Sequence, residues 1–368
     1  MPPIRVLVVD DSVVIRKLLT QTLSADPEIE VAATASLGKI ALAKIPQVNP
    51  DIVILDIEMP EMDGLETLTL IRKQWPRLPV IMFSTKTERG AAATIEALTR
   101  GASDYVAKPS NVGSVVLAME RVREAMIPKI KALVPRGPRV APVVRLAPVA
   151  AKTAAHAVLR LPAKAVPVEL VAIGASTGGP NALSIILPEL PAEFPVPIVV
   201  VQHMLPTFTQ HFALRLAAQC KLEVVEATQG DALRSGCVYI ARGDFHLLVS
   251  RRGREGSLVL NQGTPENFCR PAVDVLFSSV ATAYRASVLG VVLTGMGQDG
   301  LRGATAIREA GGNIIVQDEA TSIVWGMPGI VAGAGLATQV LPLERIASEI
   351  LRLVGKPAAT PLISSRAK

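Results

Sequence analysis

Leu170-Val-Ala-Ile-Gly-Ala-Ser-Thr-Gly-Gly-Pro180 runs from an apolar stretch into a turn of small residues, and a helical pattern follows over Asn181 to Leu190. The apolar run has the length of a buried strand, and the glycines and Pro180 break it sharply. Strand, tight turn and helix are therefore predicted, with Ser176 on the turn. A hydroxyl there stands clear of the sheet, beside the N–H groups of a helix N-terminus that would stabilise an oxyanion. The same string also suits a turn that merely lets a helix pack close to a strand, so the rest of the chain has to decide.

Downstream the pattern repeats. Pro197 to Val201 leads to Gln202, His203 and Met204; Ala286 to Leu293 leads to Thr294-Gly-Met-Gly-Gln-Asp-Gly300; Asn313 to Val316 leads to Gln317 and Asp318. Phe208 to Cys220, Asp274 to Tyr284 and Leu301 to Ala310 read as helices, and residues 222–260 as edge hairpins. Alternating strands and helices imply an open parallel α/β sheet with its chemistry at the strand C-termini.

A serine nucleophile needs a base, and the base needs an orienting acid. Of the four histidines, His156 lies in a basic segment, His211 in a helical pattern and His246 in a turn after Asp244. His203 directly follows the most apolar strand, level with Ser176, and is the predicted base. Among Asp244, Asp274, Asp299 and Asp318, the glycine-rich turn favours Asp299 as its orienter. That turn can also expose Met296 N–H as an oxyanion donor, and Thr177 flanks the serine as a further oxyanion or substrate contact. Gly174-Ala-Ser-Thr-Gly178 matches the G-x-S-x-G string. The hydrolases that carry it run Ser…Asp/Glu…His, however, whereas the order here is Ser…His…Asp.

The first 125 residues alternate strand and helix five times. Strand ends carry Asp10 and Asp11 after Ile4 to Val9, Asp56 after Asp51 to Leu55, Ser84 after Pro79 to Phe83, and Lys108 after Ser103 to Ala107; the last helix is expected at about 112–126. Converging carboxylates are costly without a cation, and Mg²⁺ suits one or two of them plus a phosphate. Asp56 then reads as a nucleophile forming an acyl phosphate, with Lys108 and Ser84 on the phosphoryl oxygens.

Composition agrees. At 368 residues, 49% hydrophobic and 3% aromatic, the chain has room for two aliphatic cores, as buried parallel strands require. The net charge of +6 is localised: residues 1–125 carry −2, residues 126–168 carry +8, residues 169–355 carry −3 and residues 356–368 carry +3. Two near-neutral domains joined by a basic, proline-rich linker argue against nucleic-acid binding, which wants the charge on a folded face. Cys220, Cys237 and Cys269 form no C-x-x-C pair, no apolar run spans a bilayer, and a strand begins by Ile4. A cytoplasmic protein, not inserted in a membrane, is expected.

Residues 1–125 resemble a response-regulator receiver domain through Val-Val-Asp10-Asp11-Ser, Leu-Asp56-Ile-Glu-Met-Pro-Glu-Met-Asp-Gly64, Ser84 and Tyr105-Val-Ala-Lys108-Pro109. The resemblance implies a flavodoxin-like fold and Asp56 as phosphoacceptor. It also implies Mg²⁺ on Asp11, Asp56 and the Glu58 carbonyl with Asp10 assisting, and a switch through Ser84 and Tyr105. Residues 169–355 resemble the chemotaxis protein-glutamate methylesterases, the CheB family. The matching pieces are Ile-Gly-Ala-Ser176-Thr-Gly-Gly-Pro, Val-Gln-His203-Met, Arg270-Pro-Ala-Val-Asp-Val-Leu-Phe277, Gly-Met296-Gly-Gln-Asp299-Gly and Val324-Trp-Gly-Met-Pro-Gly329. That likeness implies a Rossmann-like domain, with Ser176, His203 and Asp299 as a triad. It implies hydrolysis of glutamate γ-methyl esters on chemotaxis receptor helices, deamidation of receptor glutamines, and a histidine kinase as phosphoryl donor. Ala241-Arg242-Gly243 departs from the expected Ala-Pro-Gly, at a turn. Residues 126–168 are left as a linker and 356–368 as a tail.

Overall fold

The computed structural model describes residues 2–109, 114–134 and 166–355. In the first half β1 (Ile4–Val9), α1 (Val13–Ser24), β2 (Ile29–Ala35), α2 (Gly38–Val48), β3 (Ile52–Asp56), α3 (Gly64–Gln74), β4 (Val80–Ser84), α4 (Glu88–Thr99), β5 (Asp104–Ala107) and α5 (Val115–Leu133) alternate. The five strands pair in parallel in the order β2-β1-β3-β4-β5. β3 and β4 are buried at every position, so both faces of the sheet are covered by helices. Burying a Val, Ile or Leu side chain stabilises by about 1.5–3 kcal/mol, which is why these short apolar runs become strands. Side-chain caps start the helices: Ser12 on α1, Asp63 on α3 and Thr87 on α4 each accept from a first-turn N–H.

Helix α5 departs from the expected 112–126. It continues to Leu133 through Pro128, because Met126, Ile127, Ile130 and Leu133 extend the apolar face into the core. The first residues assigned to a linker are thus helical; the rest of that segment and the tail lie outside the described residues.

The second half contains β6 (Leu170–Ala175), α6 (Gly179–Ile186), β7 (Ile198–Gln202), α7 (Pro206–Ala217), β8 (Glu223–Glu226), β9 (Cys237–Ile240), β10 (His246–Arg252), β11 (Glu255–Asn261), α8 (Val273–Tyr284), β12 (Val288–Val292), α9 (Leu301–Glu309), β13 (Asn313–Gln317), α10 (Met327–Gly333), β14 (Gln339–Leu341) and α11 (Leu343–Val354). A seven-stranded parallel sheet has the order β14-β13-β12-β6-β7-β9-β8. The expected edge hairpins are corrected: β8 and β9 pair in parallel within this sheet, and only β10 and β11 form an antiparallel hairpin, separate from it. Strand order reverses beside β6, between β12 and β7, and the C-terminal crevice at such a switch point is where open α/β sheets bind ligands.

The first half sits over that crevice. Tyr105 stacks on Phe208 of α7 with ring centroids 4.5 Å apart, and its buried hydroxyl accepts from Leu205 N–H at 3.2 Å. Glu88 and Glu96 of α4 meet His211 and Arg215 of α7 at 2.7 and 3.0 Å.

Candidate active site

Ser176 follows the last residue of β6. Register pairs Ala175 with Gln202, so Ser176 and His203 are the next residues on adjacent strands. Small residues make the approach possible. A Cβ on Gly179 would lie 2.0 Å from Gln202 Oε1, and a Cβ on Gly295 would lie 2.9 Å from Ser176 Cβ and 3.1 Å from its nitrogen. The turn after β12, which carries Met296, therefore rests directly against the serine. Gln202, buried at the end of β7, donates from Nε2 to Ser176 O at 2.9 Å and to His203 O at 3.2 Å. It fixes both turns, a role its place in the Val-Gln-His string did not reveal.

His203 Nε2 lies 2.8 Å from Asp299 Oδ2. Asp299 is buried, and its Oδ atoms also accept from Val273 N–H at 2.6 Å, Asp274 N–H at 2.9 Å, Gly300 N–H at 3.0 Å and Asn267 Nδ2 at 3.0 Å. Burial alone would raise its pKa, but His203 and these donors outweigh it and hold the carboxyl below the usual range. Asp299 thereby caps the N-terminus of α8. Asp274, inside α8, returns the bond to α9 by accepting from Gly300 and Gly303 N–H at 3.0 and 2.8 Å. For His203, burial opposes the charged form, yet the bond to Asp299 and the contact with Cys269 outweigh it and push the pKa up to about 9.

The remaining ring nitrogen, Nδ1, lies 3.5 Å from Cys269 Sγ. Among the described residues Ser176 Oγ makes no hydrogen bond, so the structure joins His203 to Asp299 and leaves the serine beside them but not bonded to them. Thr177 is buried and occupied from above: its hydroxyl donates to Asp104 Oδ2 at 2.5 Å, and Asp104 Oδ1 holds Lys129 Nζ at 2.8 Å. Asp104 was not singled out from the sequence, where it is one carboxylate in an ordinary strand. The other two described histidines serve the scaffold. His246 bonds Thr264 O and Ala272 N–H, and His211 pairs with Glu88.

The second cluster lies at the C-terminal ends of β1 and β3. Ligand oxygens of Asp10, Asp11 and Asp56 lie within 4.8 Å of one another, and Lys108 Nζ contacts Asp10 at 2.8 Å and Asp56 at 2.7 Å. Burial, with help from Asp10, pushes the Asp56 carboxyl up to about 6 against the pull of Lys108. Burial would lower the Lys108 ammonium, but its two carboxylate partners raise it. An all-oxygen donor set of this kind fits a hard divalent cation. Glu58 follows on the exposed turn, its N–H 3.4 Å from Asp56 Oδ1. Ser84 is buried and donates to Gly90 O at 3.0 Å, an internal bond at the start of α4.

Comparison with known proteins agrees with both halves. Residues 171–350 match the family model described as CheB methylesterase, and residues 6–120 match the response regulator receiver domain. The chain is 53% identical over 355 residues, covering 96% of this chain and all of the relative, to a protein-glutamate methylesterase/protein-glutamine glutaminase of Trichodesmium erythraeum (strain IMS101). It is 54% identical over 367 residues, covering 98% and 99%, to one so named from Nocardioides sp. (strain ATCC BAA-499 / JS614). The crystal structure of the Thermotoga maritima CheB methylesterase catalytic domain superposes with a TM-score of 0.50 at 43% identity, covering 51% of this chain and all of that one. With a receiver half and a methylesterase half each matched, and relatives aligned end to end, the chain belongs to the CheB family of receiver-linked methylesterases.

Proposed function

We propose that this chain is a phosphorylation-regulated serine hydrolase that cleaves glutamate γ-methyl esters on methyl-accepting chemotaxis receptors and deamidates receptor glutamines. The observation that carries the reading is the His203–Asp299 pair, placed beside the Ser176 turn at the sheet's switch point and roofed by the receiver.

Asp299 fixes His203 with Nε2 as the protonated nitrogen, which leaves Nδ1 to accept a proton. When Nδ1 turns from Cys269 to Ser176, it takes the hydroxyl proton as Oγ attacks the ester carbonyl. The tetrahedral oxyanion is held by N–H groups of the glycine-rich turns, with Met296 N–H and the Thr177 position as the candidates. His203 returns its proton to the departing methoxide, and methanol leaves; with a glutamine substrate, ammonia leaves. Water, deprotonated by His203, then cleaves the acyl-enzyme and restores Ser176 with a free glutamate.

Asp56 is the proposed phosphoacceptor and a histidine kinase the proposed donor. Asp11, Asp56 and the Glu58 carbonyl would hold Mg²⁺, with Asp10 behind them, and the ion would neutralise phosphoryl charge during transfer. Lys108, drawn from its carboxylates to the phosphoryl group, and Ser84, released from Gly90, would alter the packing of α4 and β5. Those elements carry Glu88, Glu96, Asp104 and Tyr105, the contacts that hold the receiver over Ser176. Methanol release from methylated receptor membranes tests the esterase reading. Wild type releases methanol and Ser176→Ala does not; equal release by the two proteins overturns it.

A further inference from the structure

A tight turn stands at the rim of the candidate site. Glu266 and Cys269 exchange both backbone hydrogen bonds, at 3.0 and 2.8 Å, and the two residues between them have positive φ: Asn267 at 51° and Phe268 at 62°. That pattern is a two-residue turn of type I′, whose second central position favours glycine because a side chain there is strained. A phenylalanine in the left-handed region is an outlier for a bulky residue. The strain gains the fold nothing visible, because the Phe268 ring is 102% exposed.

The turn is nevertheless fixed to the chemistry at both ends. Asn267 Nδ2 donates to Asp299 Oδ1 and to Asp274 Oδ2, each at 3.0 Å, while the next residue, Cys269, touches His203 Nδ1. Other exposed aliphatic side chains share the rim. Leu205 (40% exposed) lies two residues after His203, and Ile323 (37%) packs on Gly178 beside the nucleophile. The cleft of about 370 Å³ under the receiver is lined by Leu205, Phe268 and Arg270 from the second half and by Lys86, Arg121 and Lys129 from the receiver.

We propose that Phe268 is a substrate-docking residue: its ring, with Leu205 and Ile323 exposed on the same rim, receives the apolar flank of an amphipathic receptor helix whose glutamyl ester enters at Ser176. The proposal rests on the esterase reading above and deepens it. On a helix, the residues three and four positions from the target glutamate lie one turn away on the same face, where a ring projecting beside His203 meets them. An aromatic anchor has only two side-chain torsions to fix, and the turn that carries it is already held by Asn267, so docking orders little backbone.

The test uses the full chain, with acetyl phosphate and Mg²⁺, acting on methylated receptor membranes. Phe268→Gly is expected to raise the receptor concentration for half-maximal methanol release at least tenfold, with kcat within twofold, while the thermal midpoint does not fall because strain is relieved. Phe268→Trp is expected to keep the wild-type KM within twofold. An unchanged KM in Phe268→Gly would overturn the proposal. So would a lowered thermal midpoint with kcat and KM failing together, which marks a structural residue. If wild type and Ser176→Ala release methanol equally, the esterase reading itself has failed, and the docking role falls with it.

Discussion

The pairing of His203 with Asp299 sets how the resting enzyme should respond to pH. A base pushed up to about 9 is protonated at neutrality and cannot take the Ser176 proton. Basal kcat/KM is therefore expected to rise with pH, about tenfold per unit, and to level off above about 9. The stability link has the opposite slope. A raised histidine pKa stabilises the fold fully below its unfolded value near 6.5, and that contribution is lost as pH rises through about 9. Asp299→Asn removes the partner that raises the pKa. Its rate should fall by about 10⁴-fold, as when a triad histidine is left in the wrong tautomer, and its acidic limb should move to lower pH. A pH–rate profile of both proteins checks this; an Asp299→Asn profile with unchanged limbs would exclude the assigned role. At this scale the sequence was informative about His203 and Asp299, because each follows a buried strand. It was silent on Asp104, Gln202 and Asn267, whose roles depend on which element folds over them.

At the scale of elements, close approach between turns decides whether the site exists. Gly295 has room only for hydrogen, since a Cβ there would meet Met327 Sδ at 2.4 Å and Ser176 Cβ at 2.9 Å. Gly295→Ala should cost about 1–3 kcal/mol of stability. A displacement of the nucleophile near 1 Å should lower kcat about 10²-fold. Thermal melts and methanol release on the same preparation separate the two losses. The strands were legible in the sequence because Val, Ile and Leu runs end abruptly at Gly, Asp or Ser. Residues 222–260 misled for a physical reason: Glu223–Glu226 and Cys237–Ile240 are short and turn-flanked like a hairpin, yet each is paired in parallel with the main sheet. The expected end of α5 near 126 likewise gives way, because the apolar face of Ile127, Ile130 and Leu133 carries the helix on through Pro128.

Across the whole molecule, the contacts that roof the site differ in strength. The Glu88–His211 and Glu96–Arg215 pairs are partly exposed and worth roughly 0.2–1 kcal/mol each. The buried bond from Thr177 to the Asp104 carboxylate belongs to a stronger class, about 1.5–3 kcal/mol. Asp104→Ala is therefore expected to raise basal ester hydrolysis without a phosphoryl donor, by about 10-fold or more, while Arg215→Ala raises it less than about fivefold. Tyr105, stacked on Phe208, couples the same roof to the strand that leads to Lys108. The central claim is that the state of Asp56 controls access to Ser176. Methanol release from methylated receptor membranes tests it most directly, measured with and without acetyl phosphate and Mg²⁺ for wild type, Asp56→Asn and Ser176→Ala. Donor-stimulated release is expected from wild type, basal release only from Asp56→Asn, and none from Ser176→Ala. Equal stimulation of wild type and Asp56→Asn, or no stimulation of either, would contradict it.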